Sequence, residues 1–524
     1  MPCWALARTA VGHKADPLRR ANACFSSNLI HYLVMRLIMC VLLVAFLTAF
    51  ATLPERPAGG QGRVRPLQTK PNSLPAHIQL LLLDTADKPP RRVPLAELQG
   101  DQSFYALRNY QPAWSAGLEI GTIGRAALAL LTRAEDFGLQ PRRYQASALQ
   151  ALADSLALPS PPARHVAQQA RFEILLTDGV LRFARHLRRG QLYAFTPSPL
   201  EQPEAPFEPA AWVARALMAP DFTTALLRCQ PQHREYQQLQ QALANWRQQP
   251  TGPDPVAHRR QEQQMALTLE RWRWVAIPDS DYIVVNLPAY RLEVVRRGRV
   301  VYTHRLLIGR ASTPTPTFSS RLASFTVAPE WRVPRSVAVQ QILPYLQENA
   351  KFPSEHDFLA DNNYALYDAQ GRELDPSTIN WLQVTEQNFT YAIRQKPGCS
   401  NLLGNIVFRF ANPYGLYISD TSEHKDFERT YRALAEGCMH VERPMRLAAY
   451  LLGPDSTRAA LPKDGECEAN PRSRTFYLKR PLPLHVRYAT CAVVGGKPRF
   501  YADVYGRDAL LRRQLFGARA ATLL

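Results

Sequence analysis

Residues 417–452, YISDTSEHKDFERTYRALAEGCMHVERPMRLAAYLL, decide how the rest of this chain is read. Tyr417-Ile418-Ser419-Asp420-Thr421 has the look of a strand end running into a turn. Phe427 to Leu434 is charged and predicts a helical connector. Glu436-Gly437-Cys438-Met439-His440-Val441 then sets a cysteine behind a glycine, ahead of Pro444 and an apolar helix from Met445 to Leu452. The glycine lets the backbone come close to whatever Cys438 faces. Polar and apolar residues alternate after it, which places Cys438 and His440 on one face of a short extended segment. A lone cysteine is ordinarily a small buried hydrophobe, so this spacing names no chemistry by itself.

Working outward, the period of the apolar residues changes along the chain. Arg125 to Phe137, ending at Gly138, and Ala170 to Leu187, stopping at Gly190, carry apolar residues at helical spacing, as does Tyr236 to Trp246. From Tyr282 the period becomes two. Tyr282–Asn286, Arg291–Val295 and Val300–Ile308 predict strands. Thr315-Pro316-Thr317-Phe318 is a turn entering a fourth strand, which Trp331-Arg332-Val333-Pro334 is expected to close. Ile406–Phe410 is a core strand, and Asn412-Pro413-Tyr414-Gly415 is a turn before the strand that delivers Ser419.

The quoted segment resembles the active site of the L,D-transpeptidases, cysteine acyltransferases that cross-link peptidoglycan stem peptides. That family has a strand ending in His-Asp-Thr or His-Gly-Ser/Thr, a gap, and then Ser-x-Gly-Cys-apolar-Arg. Asp420-Thr421, Phe427, Arg432-Ala433, Gly437-Cys438, Val441-Glu442 and Pro444 fit its large periplasmic branch. So do Phe104-Tyr105, Pro112-Ala113-Trp114, Gly138-Leu139-Gln140-Pro141 with Tyr144, and Leu176-Thr177-Asp178, which resemble the scaffold domain of that branch. The tail, with Leu482-Pro483-Leu484, Val486-Arg487-Tyr488 and Tyr501 to Asp508, resembles the strands that finish its catalytic domain. The resemblance runs from about residue 100 to the C-terminus. Between Trp246 and Leu269 there is no room for the peptidoglycan-binding module that usually interrupts the scaffold. Four positions depart from the pattern. Ser419 stands where the family has its general-base histidine, Glu436 where it has Ser or His, His440 where it has Arg, and Ala328 where the branch has Asn.

The resemblance implies an α+β fold with a mostly helical N-terminal scaffold domain and a β-rich catalytic domain carrying a capping insertion. The expected plan is scaffold over 76–250, a connector helix over 251–279 and a catalytic domain over 280–452. The capping insertion falls at about 336–391, and strands within 453–524 complete the domain.

Composition is consistent with this plan. A chain of 524 residues with 46% hydrophobic content has material for two or three cores. Its net charge of +19 suits an anionic envelope or membrane surface. The arginines are scattered and no nucleic-acid motif accompanies them, so nucleic acid is not an expected partner. Leu37 to Leu53 is apolar, follows Met35-Arg36 and ends near Ala49-Phe50-Ala51, the layout of a signal peptide. The run is nearly long enough to span a bilayer, so an uncleaved inner-membrane anchor is the alternative. Residues 1–34 are then an over-called start or a cytoplasmic tail, and 54–75 a linker to an exported, periplasmic body. Cysteines 229, 399, 438, 467 and 491 follow the apolar run, an odd number, so at least one stays free or pairs between chains. No Cys/His ligand spacing appears, so neither a metal nor another cofactor is expected.

Acyl transfer needs a nucleophile, a proton acceptor and oxyanion donors. Cys438 is the candidate nucleophile, and the backbone N–H groups of Gly437 and Cys438 are the candidate oxyanion donors. A serine at 419 cannot accept a proton as an imidazole does. His440, which the resemblance also places against substrate, and His424 are the candidate bases. Glu436 is expected to raise the thiol pKa unless it orients a histidine. Asp420 and Thr421 are expected to fix the turn. Two readings follow. One is an L,D-transpeptidase acting on stem peptides in cell-wall biogenesis. The other is a catalytically inactive relative that keeps the fold and binds the wall or a partner.

Overall fold

The computed structural model describes residues 73–83, 95–192, 206–352, 357–398, 400–454, 461–466 and 471–517. The expected export segment at 35–53 lies outside them, as does most of the expected linker. That linker is shorter than expected at its far end, because a helix already begins at Leu74. Among the described residues no helix is long and apolar enough to cross a membrane.

The helical part centres on one 28-residue helix, Pro162–Arg189, whose apolar stripe of Phe172, Ile174, Leu176, Val180 and Phe183 is fully buried. Shorter helices at Leu74–Leu83, Leu98–Leu107, Thr122–Thr132, Ala146–Leu156 and Pro209–Leu217 pack round it. A buried carboxylate fixes the loop over this helix. Glu173 accepts from the N–H groups of Ala113, Trp114 and Ser115 at 2.8, 3.0 and 2.7 Å and from the Tyr105 hydroxyl at 2.8 Å. Those donors lie in or beside the Phe-Tyr and Pro-Ala-Trp motifs, so the motifs form the surroundings of one buried acidic side chain.

Helices Arg234–Gln248 and Pro255–Arg273 lead into the β-rich part. Strand β1 (Tyr282–Asn286) is apolar at consecutive positions because both of its faces are covered. Ile283 and Val285 enter the sheet's own core, whereas Tyr282 and Val284 pack with Tyr236, Leu239 and Trp272 of the two helices. Gln264 on the second helix also donates to the carbonyls of Thr490 (2.8 Å) and Tyr501 (2.9 Å). The helical and β-rich parts therefore share a core as well as a covalent link.

The remaining strands of the main sheet are β2 (Arg291–Arg296), β3 (Arg299–Gly309) and β4 (Phe318–Val327). A second, four-stranded sheet contains β5 (Trp331–Arg332), β6 (Tyr364–Tyr367), β7 (Glu373–Leu374) and β8 (Ala392–Gln395), in the order β5-β8-β6-β7. The main sheet then resumes with β9 (Ile406–Phe410), β10 (Ile418–Ser419), β11 (Ala433–Ala435), β12 (Met439–Val441) and β13 (Arg474–Arg487). Its order is β11-β3-β12-β10-β9-β4-β13-β1-β2, and β2 also pairs with β3, so the sheet closes on itself. A hairpin of β14 (Cys491–Val494) and β15 (Lys497–Phe500) and a final helix, Asp508–Phe516, complete the described chain.

Three local expectations are corrected. Phe427–Leu434 is not a helix. A five-residue 3-10 turn ends at Glu428, and Ala433–Ala435 pairs in parallel with the end of β3. Its charged residues serve extended chain, where Arg432 donates to the Leu306 carbonyl. Trp331–Arg332 does not close the fourth strand but belongs to the second sheet, paired with β8. Tyr501 to Arg507 is loop, not strand. The insertion between β5 and β9 has a small core of its own, with Val339, Ile342, Leu346, Leu366, Trp381 and Phe389 buried.

Candidate active site

Strand register assembles the site. Strands β10 and β12 run parallel with Ile418 opposite Met439 and Ser419 opposite His440. Ile418 and Met439 are fully buried in the sheet's core. Side chains alternate along a strand, so Tyr417, Ser419, Cys438 and His440 stand together on the opposite face. The expectation that Cys438 and His440 share a face holds, and the structure adds Tyr417 and Ser419 beside them.

The two residues flanking the ladder make different networks. His440 Nδ1 lies 2.9 Å from the Asp420 carbonyl oxygen and 3.0 Å from Ser419 Oγ. Ser419 Oγ donates to the same carbonyl at 2.8 Å. A carbonyl only accepts, so Nδ1 carries the proton and Nε2 is the basic nitrogen. Burial holds the imidazole below its ordinary pKa, with the Asp420 carbonyl and carboxylate opposing. The ring is therefore neutral at neutral pH.

Cys438 is a free, partly exposed thiol. Burial raises its pKa, while backbone and side-chain hydrogen bonds from Tyr417 pull it down. Burial and the Cys438 thiol hold the Tyr417 hydroxyl above its ordinary pKa, with the Trp331 side chain of the second sheet and Arg409 opposing. No hydrogen bond joins the sulfur to the His440 ring, whose Nδ1 is held on the Asp420 side.

Glu436 does not set the thiol's pKa as expected. Its carboxylate pairs with Arg310 at 2.7 Å and accepts from Thr313 Oγ1 at 3.1 Å. This exposed pairing turns the charge away, and burial dominates instead. His424 is half exposed in the 3-10 turn, with Nε2 3.9 Å from Asp420 Oδ1. Asp420 is buried and accepts from the Asn405 N–H at 3.0 Å, so it fixes the turn as expected and supplies the carbonyl that holds His440. The helix at Pro444–Leu452 starts beyond β12, so its N-terminus does not face Cys438.

The loop before the cysteine is held from below. Gly437 adopts φ +86°, a conformation that favours glycine. Its carbonyl accepts from Thr315 Oγ1 at 2.8 Å, and that oxygen accepts from the Gly309 N–H at 2.9 Å. Tyr505 donates its hydroxyl to the Gly309 carbonyl at 2.6 Å and accepts from the Thr315 N–H at 3.2 Å. A Cβ at Gly309 would fall 2.2 Å from the Thr313 carbonyl oxygen and 2.8 Å from Gly437 Cα. The chain can pass there only as glycine. Thr315, Tyr505, Tyr417 and Trp331 were not singled out from sequence as site residues, although the Thr-Pro turn and the Trp-x-Val-Pro segment were visible there as motifs.

Comparison with known proteins agrees with this architecture. Residues 101–243 match the family described as scaffold domain, and residues 280–464 match that described as L,D-transpeptidase catalytic domain. A Haemophilus influenzae protein provisionally named an L,D-transpeptidase is 28% identical over 420 residues, which is 77% of this chain and 77% of that one.

Proposed function

Because this chain belongs to the L,D-transpeptidase family, with a scaffold domain ahead of its catalytic domain, we propose that it cross-links peptidoglycan stem peptides in the cell envelope through an acyl-enzyme on Cys438. The observation that carries this reading is the placement of a neutral imidazole, His440, on the nucleophile's own sheet face, with its tautomer set by the Asp420 carbonyl.

In the first half-reaction Cys438 Sγ attacks the carbonyl after the third residue of a tetrapeptide stem. His440 Nε2 takes the thiol proton once the sulfur turns from Tyr417 toward it; such bonds commonly tighten only when substrate is bound. The N–H groups of Gly437 and Cys438 face the developing oxyanion. The C–N bond breaks, His440 returns the proton to the leaving amine, and the terminal D-Ala departs. In the second half an amine of a neighbouring stem attacks the thioester, His440 accepts its proton, and the proton passes back to sulfur as the new amide forms. Ser419 positions the ring. His424 takes no part in this scheme, since it sits half exposed in the 3-10 turn and not on the strand that carries Cys438. An exported, periplasmic location belongs to the same proposal.

The test is acylation. Purified protein is incubated with a tetrapeptide donor or a carbapenem, and the mass of the Cys438 peptide is measured. An adduct absent from Cys438→Ala supports the reading, and no adduct under conditions that label an active homologue defeats it. One observation favours the second reading, an inert wall-binding relative: no hydrogen bond joins the Cys438 sulfur to the His440 ring, whose Nδ1 is held by the Asp420 carbonyl. That reading predicts peptide binding without an adduct.

A further inference from the structure

The register that builds the site extends across three more strands. Cys438 lies beside Tyr417, Tyr417 beside Arg409 of β9, Arg409 opposite Ser324 of β4, and Ser324 opposite Tyr477 of β13. The next row is His440, Ser419, Val407, Thr326 and Thr475. Between the two rows, Met439, Ile418, Phe408 and Phe325 point the other way into the core. The nucleophile therefore stands at one end of a strip crossing five strands, and the exposed Arg409 is two strands along it, about 10 Å away at backbone level.

Arg409 differs from the other arginines near the site. Arg310 is neutralised by Glu436, and Arg305 by Glu442 at 2.7 Å. Among the described residues no carboxylate stands within ion-pair distance of Arg409. Its charge nevertheless acts on the Tyr417 hydroxyl, the group that bonds the Cys438 sulfur. The guanidinium is thus one aromatic side chain removed from the reacting atom.

We propose that Arg409 holds the C-terminal carboxylate of the donor peptide, the carboxylate of the residue that leaves when Cys438 attacks the preceding carbonyl. The chemistry fits, because a planar guanidinium pairs with a carboxylate through two parallel hydrogen bonds. The distance fits as well. An attack distance of about 3 Å, one residue of about 3.5 Å and a hydrogen bond of about 3 Å together match the roughly 10 Å that separates the two residues at backbone level. The site selects donors that end at that residue, since an extended peptide or a terminal amide carries no charge there. This inference rests on the acyl-transfer reading for the identity of the donor.

The experiment compares a synthetic tetrapeptide stem bearing a C-terminal carboxylate with the same peptide as its C-terminal carboxamide. Binding of both is measured by calorimetry to Cys438→Ala and to the double variant with Arg409→Leu, and turnover is measured in the otherwise unaltered protein. Cys438→Ala should bind the acid more tightly than the amide by on the order of 10- to 100-fold, the range for a hydrogen-bonded charge. Arg409→Leu should erase that preference by weakening the acid alone, and Arg409→Lys should restore part of it. Unchanged amide binding shows that the variant is folded. Turnover with no acid preference, or a preference that survives Arg409→Leu, overturns the inference and leaves the acyl-transfer reading standing. An Arg409-dependent preference without any turnover supports the carboxylate site and removes the acyl-transfer reading. Failure of both peptides to bind overturns both.

Discussion

His440 Nδ1 and the Asp420 carbonyl oxygen are 2.9 Å apart. This bond fixes the tautomer of His440: Nδ1 keeps the proton and Nε2 is left as the acceptor. Ser419 donates to the same carbonyl and sits against the same ring nitrogen. A serine where related enzymes carry a histidine thus has a use: it fills the space beside an imidazole supplied by the neighbouring strand.

The first prediction follows from that division of labour. His440→Gln lowers kcat/KM by about 10²- to 10⁴-fold, the usual contribution of a general base. It leaves Cys438 alkylation by iodoacetamide measurable. Ser419→Ala loses about one hydrogen bond's worth, roughly tenfold or less. His424→Gln leaves the rate unchanged. Steady-state kinetics with a tetrapeptide donor check all three, and a large loss in His424→Gln with none in His440→Gln would reverse the assignment.

The pH profile should be broad. The folded-state pKa of His440 is lowered, so its basic form persists below the ordinary value of 6.5. The folded-state pKa of Cys438 is raised, so its thiol persists above the ordinary value of 9.0. As pH rises, activity appears below 6.5 when His440 loses its proton, and it holds until the thiol ionises above 9.0. Iodoacetamide alkylation, which needs thiolate, climbs through that same alkaline limb. An alkylation rate already at its plateau at neutral pH would mean a preformed thiolate–imidazolium pair and would contradict this account.

Tyr417→Phe removes the hydroxyl that pulls the Cys438 thiol pKa down. The alkylation midpoint then moves further up in pH, because the thiolate loses a hydrogen bond that favours it. Trp331→Phe moves it in the same direction by less, since that side chain acts on the sulfur only through Tyr417. A downward shift in either variant refutes the relay.

Two substitutions test stability away from the reaction. Glu173→Ala strands three backbone N–H groups and the Tyr105 hydroxyl in a buried setting. It should cost at least about 3 kcal/mol in urea unfolding. Ala328 adopts φ +52° with its N–H bonded to the Asn405 carbonyl at 2.8 Å. That left-handed conformation costs an alanine about 1 kcal/mol, so Ala328→Gly should raise stability by up to that amount.

Much of the fold was legible in the residues. Tyr282–Asn286 and Ile406–Phe410 are strands with the predicted ends, because apolar runs bounded by Pro, Asn and Gly admit few other structures. The long helix ends in front of Gly190 for the same local reason. Phe427–Leu434 misled because its charges resemble a solvated helix face. In the fold they meet backbone carbonyls across a parallel pairing that has no local signature. Trp331–Arg332 misled because a two-residue strand takes its identity from its partner, which lies about 60 residues away at Gln395 and Arg394.

The sequence alone determined that a glycine–cysteine pair stands after a strand, that two histidines lie near it in the chain, and that the family's own base position is serine. The tertiary structure decided which histidine stands on the Cys438 face, because strand register set Ser419 against His440, whereas His424 stays in the local turn four residues after Asp420. It also decided that Glu436 pairs with Arg310, while among the described residues no carboxylate pairs with Arg409 on the Cys438 face. The physical reason is the same in each case. Local spacing fixes which face of a strand a side chain takes, but hydrogen-bond pairing between distant strands fixes its neighbours, and charge, burial and tautomer follow from those neighbours.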